Sequence, residues 1–435
     1  MKAPICAFTI LVVGLGLFVS ACAGGTEVAE GAGPTAGADA VTSTSAVAST
    51  TTTTPPATST TATAVPATTT SSIEEAPSET TTTTAPRDIT VAIAGDVLSN
   101  KGILISLYRS GADSYDYDPI FAPIAPYLRA ADYTVVNLET RLAGPERGYS
   151  SFPRFNAPDS VASALKGAGV DMVANANNHA LDMGWDGLAR TLDVVEAAGL
   201  DSIGAYRSQA ERDTPHIVEV GGINLCFLSY TSHTNGLHAP KDRPYALALL
   251  DPAVVATDVA KARAAGADLV IAVLHWGVEY QRQPDSGLRT LAEKLLRDCG
   301  VDVIVGGHPH VVEPIKKVAV PGSVTGEKYV VYSVGNFMSS MVTRYSDCGI
   351  VVYLHIEKLS GATWVKDIQY LPVYMMRGMS DGRRNYRVLP DLPGLDPVSD
   401  LPLTARDRAK LDEIWRDTST MLEDPSIGVT ALDRP

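Results

Sequence analysis

The chain has few aromatic residues, few cysteines and no strong cluster of basic residues. Of its 435 residues only 6% are aromatic and five are cysteines, and the acidic residues exceed the basic ones to give a formal net charge of −14. A protein that binds a nucleic-acid backbone needs a stripe of Lys and Arg, and none stands out here. The composition therefore argues against nucleic acid as a partner.

The amino terminus lacks a hydrophobic run of the about 20 residues that span a bilayer comfortably. The apolar run from 5 to 19 follows Lys2 and has the length of a signal-peptide hydrophobic region. It ends in Val-Ser-Ala-Cys at 19–22, which resembles the bacterial lipoprotein signal. Residues 1–21 are therefore interpreted as a lipoprotein signal peptide, and Cys22 as the lipidated residue that anchors the chain to the outer face of the cell membrane. An ordinary cleaved signal and an uncleaved anchor are the alternatives, and both also predict an extracytoplasmic protein.

Residues 22–87 are almost wholly Ala, Thr, Ser, Gly and Pro. Such a segment has too little apolar surface to offset the entropy of an ordered chain, so we expect a disordered tether. The first 87 residues contribute −4 to the net charge, since Lys2 and Arg87 oppose six acidic residues. The remaining −10 belongs to residues 88–435, which we expect to fold.

Three cysteines remain in the part expected to fold, Cys226, Cys299 and Cys348. They lack metal-type spacing, and an odd number allows at most one disulfide among them. Cysteine chemistry therefore does not define the function.

From residue 88 onward, short apolar runs alternate with helix-like segments. Buried strands that alternate with helices predict an α/β protein, with one large domain at 88–390 and a C-terminal extension at 391–435. The predicted strands are 89–94, 134–137, 172–174, 223–230, 269–274, 301–305 and 329–334. The predicted helices are 158–168, 184–198, 253–265, 287–299 and, in the extension, 404–422. Residues 380–402, with Arg383, Arg384 and Arg387, are interpreted as a solvated loop in preference to an anion site.

Polar residues follow the carboxyl ends of five predicted strands, where ligands bind in open α/β sheets. Each alone has an ordinary explanation, such as a helix cap or a structural histidine. Together they have the chemistry of a divalent-metal site. The five motifs are Gly95-Asp96, Asn137-Leu138-Glu139, Asn177-Asn178-His179, His275-Trp276-Gly277 and Gly307-His308-Pro309-His310.

This ordered set, with Gly335-Asn336-Phe337 after the next strand, resembles the CapA family of poly-γ-glutamate capsule synthesis proteins. That family is similar in turn to calcineurin-like metallophosphoesterases. The resemblance implies a four-layer α/β/β/α sandwich whose strand-end loops hold one or two divalent ions, such as Mn, Zn or Fe.

The resemblance also implies roles for single residues. The metal ligands would be Asp96, Glu139, Asn178, His275, His308 and His310. Glu139 is preferred over Asn137 because a carboxylate neutralises a cation and an amide does not. His179 would be the catalytic residue that protonates a leaving group. Four residues are predicted to line the substrate pocket, namely Asn137, Trp276, Glu279 and Asn336, although core packing explains Trp276 equally well.

Two departures from the enzyme pattern bear on activity. Leu98 stands where the enzymes have a histidine ligand, and Asn137-Leu138-Glu139-Thr140 replaces their Gly-Asp-x-x-Asp. A tight dinuclear centre is therefore in question, whereas a single ion held by Asn178, His275 and His308 is affected less.

The favoured function is participation in the synthesis, export or processing of poly-γ-glutamate or a related anionic envelope polymer. Membrane-bound capsule-synthesis proteins are the expected protein partners. One alternative is an extracytoplasmic metallophosphoesterase acting on nucleotides or other phosphorylated solutes. The other is a non-catalytic binding or scaffold module.

Overall fold

The computed structural model describes residues 86–109, 114–380, 382–392 and 402–432. The predicted signal peptide with Cys22 and nearly all of the predicted tether lie outside these residues. No helix among the described residues combines the length and hydropathy needed to cross a bilayer. The three described cysteines are buried and free, so no disulfide joins them.

The first sheet is built around strand β1, which pairs in parallel with β4. β4, β5 and β6 continue the parallel part, and β14, β15 and β16 extend the sheet antiparallel on the other side of β1. The strands of this sheet are β1 Arg87–Val97, β4 Tyr133–Asn137, β5 Met172–Ala174, β6 Asp201–Ile203, β13 Asn336–Met338, β14 Cys348–Leu359, β15 Ala362–Ser380, β16 Arg383–Pro390 and β17 Val429–Ala431.

The second sheet has a parallel centre with an antiparallel strand at each edge, in the order β11-β12-β10-β9-β8-β7. Its strands are β7 Ile217–Val220, β8 Ile223–Thr231, β9 Leu269–His275, β10 Val303–Gly307, β11 Ile315–Ala319 and β12 Glu327–Val331. A separate short hairpin pairs β2 Tyr108–Arg109 with β3 Ser114–Tyr115.

The described helices are α1 Lys101–Leu107, α2 Asp118–Phe121, α3 Ala125–Leu128, α4 Ser160–Ala168, α5 Gly184–Ala197, α6 Gln209–Asp213, α7 Pro252–Ala264, α8 Ser286–Arg297 and α9 Ala405–Leu422. Several begin at a side-chain cap that satisfies a free backbone N–H group. Asp251 accepts from the N–H of Ala253 at the start of α7, and Asp285 accepts from the N–H of Leu288 at the start of α8.

Three apolar layers hold these elements together. Side chains of both sheets, such as Val135 of β4 and Ile271 of β9, form the core between them. The outer face of the first sheet packs against α1 to α5, for example through Leu165, and the outer face of the second packs against α7 and α8, for example through Leu295. Burying each large apolar side chain contributes roughly 1.5–3 kcal/mol. The layer order is α/β/β/α, which confirms the predicted sandwich.

Residues 402–432 pack against the first sheet. Helix α9 begins at Thr404, whose hydroxyl forms a capping box with Asp407, and its Leu411 and Ile414 are buried against side chains of β15 and β16. β17 then pairs in parallel with β15. The predicted helix at 404–422 is confirmed, whereas the prediction of a solvated loop around Arg383 and Arg384 is wrong, because these residues begin strand β16.

Candidate metal centre

The six predicted metal ligands are buried at the edge where strands of both sheets end. Asp96 lies near the end of β1, Glu139 follows β4, and Asn178 follows β5, all on the first sheet. His275 is the last residue of β9, and His308 and His310 follow β10 on the second sheet. Parallel strands bring their carboxyl ends to the same edge, which explains why these distant residues meet.

The loop after β10 has a backbone that few residue types adopt freely. His308 has a φ of 98° and His310 a φ of 57°, on either side of Pro309. Non-glycine residues with positive φ are uncommon and are concentrated at functional sites. A Cβ at Gly307 would lie 2.9 Å from Oδ1 of Asp96, so a larger residue there would displace that carboxylate. The loop therefore carries backbone strain at His308 and His310, and this conformation places their imidazoles beside the carboxylate of Asp96.

One group of three possible ligands consists of Asp96, Glu139 and His310. Nδ1 of His310 lies 3.2 Å from Oδ2 of Asp96 and 3.9 Å from Oε2 of Glu139. Leu98 is buried and contributes no ligand atom, so this group lacks the histidine that the enzymes place there.

A second group consists of Glu139, His275 and His308. Nε2 of His275 lies 3.3 Å from Oε1 of Glu139 and 3.2 Å from Nδ1 of His308. Oδ1 of Asn178 lies 2.9 Å from the same Nε2 and brings a fourth possible donor. Glu139 belongs to both groups, so its carboxylate would be available to an ion held by either.

The environment of the Glu139 carboxylate is suited to a bound cation. Both of its carboxylate oxygens are buried, and neither has a hydrogen-bond partner among the described residues. Burial, together with the negative charge of Asp96, raises the pKa of Glu139 to about 8. A buried carboxylate without partners is costly, and a divalent ion would both satisfy its oxygens and favour its ionised form.

His275, His308 and Asp96 have the ionisation states that a cation site needs, whereas His310 would have to lose a proton to bind an ion. Burial lowers the pKa of His275 to about 3 and that of His308 to about 2, so both imidazoles are neutral, the form that binds metals. Burial opposes protonation of His310 too, but Glu139 and Asp96 raise its pKa to about 9. Burial likewise opposes ionisation of Asp96, yet the hydrogen bond from His310 and the nearby histidines lower its pKa to about 2.

Asn137 and Asn336, which were predicted to line the substrate pocket, form hydrogen bonds with candidate ligands. Nδ2 of Asn137 donates to Oδ1 of Asp96 at 2.7 Å. Oδ1 of Asn336 lies 3.0 Å from Nδ1 of His310, and its Nδ2 donates to the carbonyl of Ser346 at 2.8 Å. Both amides are buried and orient a neighbouring side chain, so they act on the centre through another residue.

Of the other two residues predicted to line the pocket, Trp276 is buried and Glu279 is exposed. Trp276 is buried in the core between the second sheet and its helices, where its indole N–H donates to the carbonyl of Tyr332 at 3.0 Å. It therefore belongs to the core and does not line a pocket. Glu279 is exposed, and its negative charge helps to raise the pKa of Glu139 and that of His310. Its side chain therefore lies near the mouth of the metal centre.

His179 follows Asn178 and is held by a carboxylate that the sequence analysis missed. Its Nδ1 lies 2.8 Å from Oδ2 of Asp182, which also accepts from the backbone N–H of Phe155 at 2.7 Å. The Phe155 ring packs edge-on against His179, with centroids 4.7 Å apart. The sequence contained a signal for this contact, because Asp182 stands three residues after His179 of the Asn-Asn-His motif.

A further histidine was also missed. His233 follows β8, and its ring centroid lies 4.8 Å from that of His308. No motif marks it in the sequence, because it stands alone among polar loop residues. Its proximity to the centre arises only from the pairing of β8 with β9.

The four-layer fold and the Asp, Glu, Asn and His side chains at its strand ends define an α/β/β/α sandwich protein with a candidate metal centre at the edge of its two sheets. The chain belongs to the family described as bacterial capsule synthesis protein PGA_cap, whose family model matches residues 90–341. The family suggested by the sequence motifs is therefore confirmed.

Two curated relatives are 30% identical to this chain. The capsule biosynthesis protein CapA of Bacillus anthracis aligns over 276 residues, 61% of this chain and 63% of the relative. The PGA biosynthesis protein CapA of Bacillus subtilis (strain 168) aligns over 275 residues, 62% of this chain and 68% of the relative. The chain thus spans less than two thirds of the B. anthracis protein.

Among solved structures, the chain is similar to the calcineurin-like phosphoesterase YfkN from Bacillus subtilis. The two are 14% identical, and the match covers 77% of this chain and 98% of that chain with a TM-score of 0.39. A likeness at this level carries no information about activity.

Proposed function

We propose that this protein takes part in the synthesis, export or processing of poly-γ-glutamate or a related anionic envelope polymer, through a divalent-metal site. Membership of the capsule synthesis family supports the polymer. The observation that carries the metal site is Glu139, a fully buried carboxylate that is shared by two ligand groups and has no hydrogen-bond partner among the described residues. Membrane-bound capsule-synthesis proteins are the partners we expect.

The residues present fit one or two ions of Mn, Zn or Fe. Glu139, His275 and His308, with Asn178 close by, form the more complete set, and Asp96, Glu139 and His310 form the other. A divalent ion bound there would supply Lewis-acid polarisation of a substrate oxygen and lower the pKa of a bound water. Because Leu98 brings no donor, we expect the first set to be filled before the second.

The chain's own acid is His179. Asp182 binds its Nδ1 and so leaves Nε2 as the atom that would deliver a proton to a leaving group. Edge-on packing against Phe155 limits rotation of the imidazole. This arrangement also favours the alternative function, an extracytoplasmic metallophosphoesterase acting on nucleotides or other phosphorylated solutes, since a leaving group is protonated in both hydrolyses, an amine in cleavage of an amide and an alkoxide in cleavage of a phosphoester.

We further propose that Cys22 is lipidated and that residues 22–87 hold the folded domain away from the outer face of the membrane. The sequence pattern at 19–22 and the composition of the tether support this placement. It would bring the metal centre to the compartment through which an exported polymer passes.

Metal content is the first test. The full-length protein is stripped with a chelator, reloaded with Mn, Zn or Fe, and its bound metal is measured by mass spectrometry. We expect about one ion per chain in the wild type and in a control with the exposed surface histidine changed, His238→Ala, and a marked loss in His308→Ala. A wild type that retains no metal would refute both functions.

Activity then separates the two functions. Hydrolysis of an artificial phosphodiester and shortening of poly-γ-glutamate are measured for the wild type, His179→Ala and His238→Ala. Loss of a general acid typically costs about 10²- to 10⁴-fold in rate. Phosphodiester turnover that falls in His179→Ala with metal retained supports the phosphoesterase, whereas metal-dependent binding or shortening of the polymer without such turnover supports the polymer role.

A further inference from the structure

A cavity of about 750 Å³ lies between the β15–β16 hairpin and the start of α9. It is lined by none of the candidate metal ligands. Its walls combine apolar side chains with basic ones, including Val342, Met376, Met379, Arg377, Arg384 and Arg406. We call this cavity the arginine groove, after its three arginines.

The acidic residues of the arginine groove already have partners. Asp347 lies 3.1 Å from Nζ of Lys410, and Glu413 lies 2.9 Å from the same atom. Asp407 accepts from the backbone N–H and the hydroxyl of Thr404 in the cap of α9. Lys410 is shared by Asp347 and Glu413, and Oδ1 of Asp347 is buried without a hydrogen-bond partner among the described residues. The three arginines and Lys410 nevertheless exceed the three carboxylates of the groove by one charge.

The arginines, by contrast, retain donors. Arg384 and Arg406 are exposed, and no hydrogen bond or ion pair to their side chains occurs among the described residues. Arg377 donates to the carbonyl of Met341, while its Nε is buried without a partner. The groove is therefore a local basic surface on a domain whose net charge is −10, as counted above.

The arginine groove lies at the same sheet edge as the metal centre. β1 and β15 both pair antiparallel with β14, so the end of β15 lies at the edge where β1 reaches Asp96. Met341 contacts residues of both sites. Its backbone carbonyl accepts a hydrogen bond from Arg377 of the groove, and its sulfur lies 3.5 Å from Nδ2 of Asn336. The Asn336 side chain in turn contacts His310 of the metal centre.

We propose that the arginine groove binds a chain of carboxylates, such as γ-linked glutamate, and presents it to the metal centre. Guanidinium groups form strong, directional hydrogen bonds with carboxylates, and the Met and Val side chains offer contacts for the methylene groups between them. A polyphosphate has the same charge but lacks methylene groups. The identity of the polymer rests on the proposed function, whereas the groove itself rests on geometry and charge.

The test measures binding of a fluorescent γ-linked glutamate decamer to the full-length protein by anisotropy at low salt. Arg384→Glu/Arg406→Glu is expected to weaken binding at least tenfold. The matched control is Arg383→Glu/Arg416→Glu, which makes the same charge change on the same hairpin and helix but outside the groove. It is expected to change affinity less than twofold. Thermal denaturation of each variant checks that the fold is kept.

Equal weakening by the two double variants would overturn the proposal, because it would show only a response to net charge. Tighter binding of polyphosphate than of the decamer, lost in the groove variant, would overturn the assignment to carboxylates. Repeating the measurement with EDTA and with His308→Ala separates the two proposals. If binding of the decamer depends on the groove arginines but the protein holds no metal, the groove proposal is supported and the proposed function is refuted. Metal content without groove-dependent binding refutes the groove and leaves the proposed function intact.

Discussion

Oε1 of Glu139 lies 3.3 Å from Nε2 of His275, and the two residues belong to different sheets. Glu139 follows β4 of the first sheet, whereas His275 ends β9 of the second. Any ion bound by both would therefore link the two sheets at their common edge. Metal binding and the stability of the sandwich should be coupled for this reason.

Glu139→Gln should have opposite effects on stability with and without metal. In EDTA at pH 9 we expect the variant to unfold at a higher temperature than the wild type, because a buried carboxylate charge that accepts no hydrogen bond among the described residues is removed. With excess Mn or Zn we expect the wild type to be the more stable, and metal affinity to fall at least about tenfold in the variant. Calorimetry and metal titration measure both effects. Glu146→Gln, at an exposed position, is the control, and effects of equal sign in the two conditions would contradict the role of Glu139 as a ligand.

Leu98→His should supply the donor that the group of Asp96, Glu139 and His310 lacks. We expect a higher ratio of bound metal to protein, by up to one ion per chain, since imidazole is a strong ligand for Mn, Zn and Fe. Leu98→Met keeps the volume of the buried side chain and serves as the control. A ratio that stays at the wild-type value while the protein remains folded would show that a side chain at position 98 does not reach the ion.

Trp276→Phe should destabilise the fold without changing metal content. The substitution leaves the buried carbonyl of Tyr332 without its donor and creates a small cavity, at a cost of roughly 2–3 kcal/mol. Denaturant unfolding and metal analysis measure the two quantities. Trp415→Phe, at a partly buried position on α9, is the comparison. Weaker substrate binding with unchanged stability would instead show that Trp276 lines the substrate pocket.

Asp391→Asn should stabilise the protein at alkaline pH. Burial, with the charge of Asp412, raises the pKa of Asp391 from its ordinary 3.8 to about 8. Between these values the folded state holds a proton that the unfolded chain has released, so stability falls as pH rises through about 4 to 8 and stays low above it. We expect little difference from the wild type at pH 4 and a gain on the order of a few kcal/mol at pH 9.

Denaturant unfolding at the two pH values tests the prediction for Asp391. Asp186→Asn changes an exposed aspartate and should leave the pH dependence as it is. A variant that tracks the wild type from pH 4 to 9 would show that Asp391 ionises normally in the folded state.

Much of the fold follows from local pattern, since an apolar run between turns predicts a buried strand wherever it occurs. The segments predicted at 89–94, 134–137 and 172–174 all lie in strands of the first sheet. The strand predicted at 301–305 is displaced by two residues from the observed one, since β10 runs from Val303 to Gly307. Strand β16 was missed since its arginines and asparagine lack the strict alternation of a half-buried strand, and only pairing with β15 orders it.

The sequence by itself determined the chemistry of the candidate site, because donor type depends only on side-chain identity. The polar motifs after the strands predicted a divalent-metal site, and the family resemblance that they carry predicted Asp96, Glu139, Asn178 and the histidines of the His-Pro-His motif as ligands. Only the tertiary structure decided which of these residues share an ion position, that Glu139 lies in both groups, and that Trp276 points into the core. Asp182 and His233 were added in the same way. The physical reason is that distances of a few ångströms between residues far apart in the chain depend on how the two sheets pack, which no local pattern records.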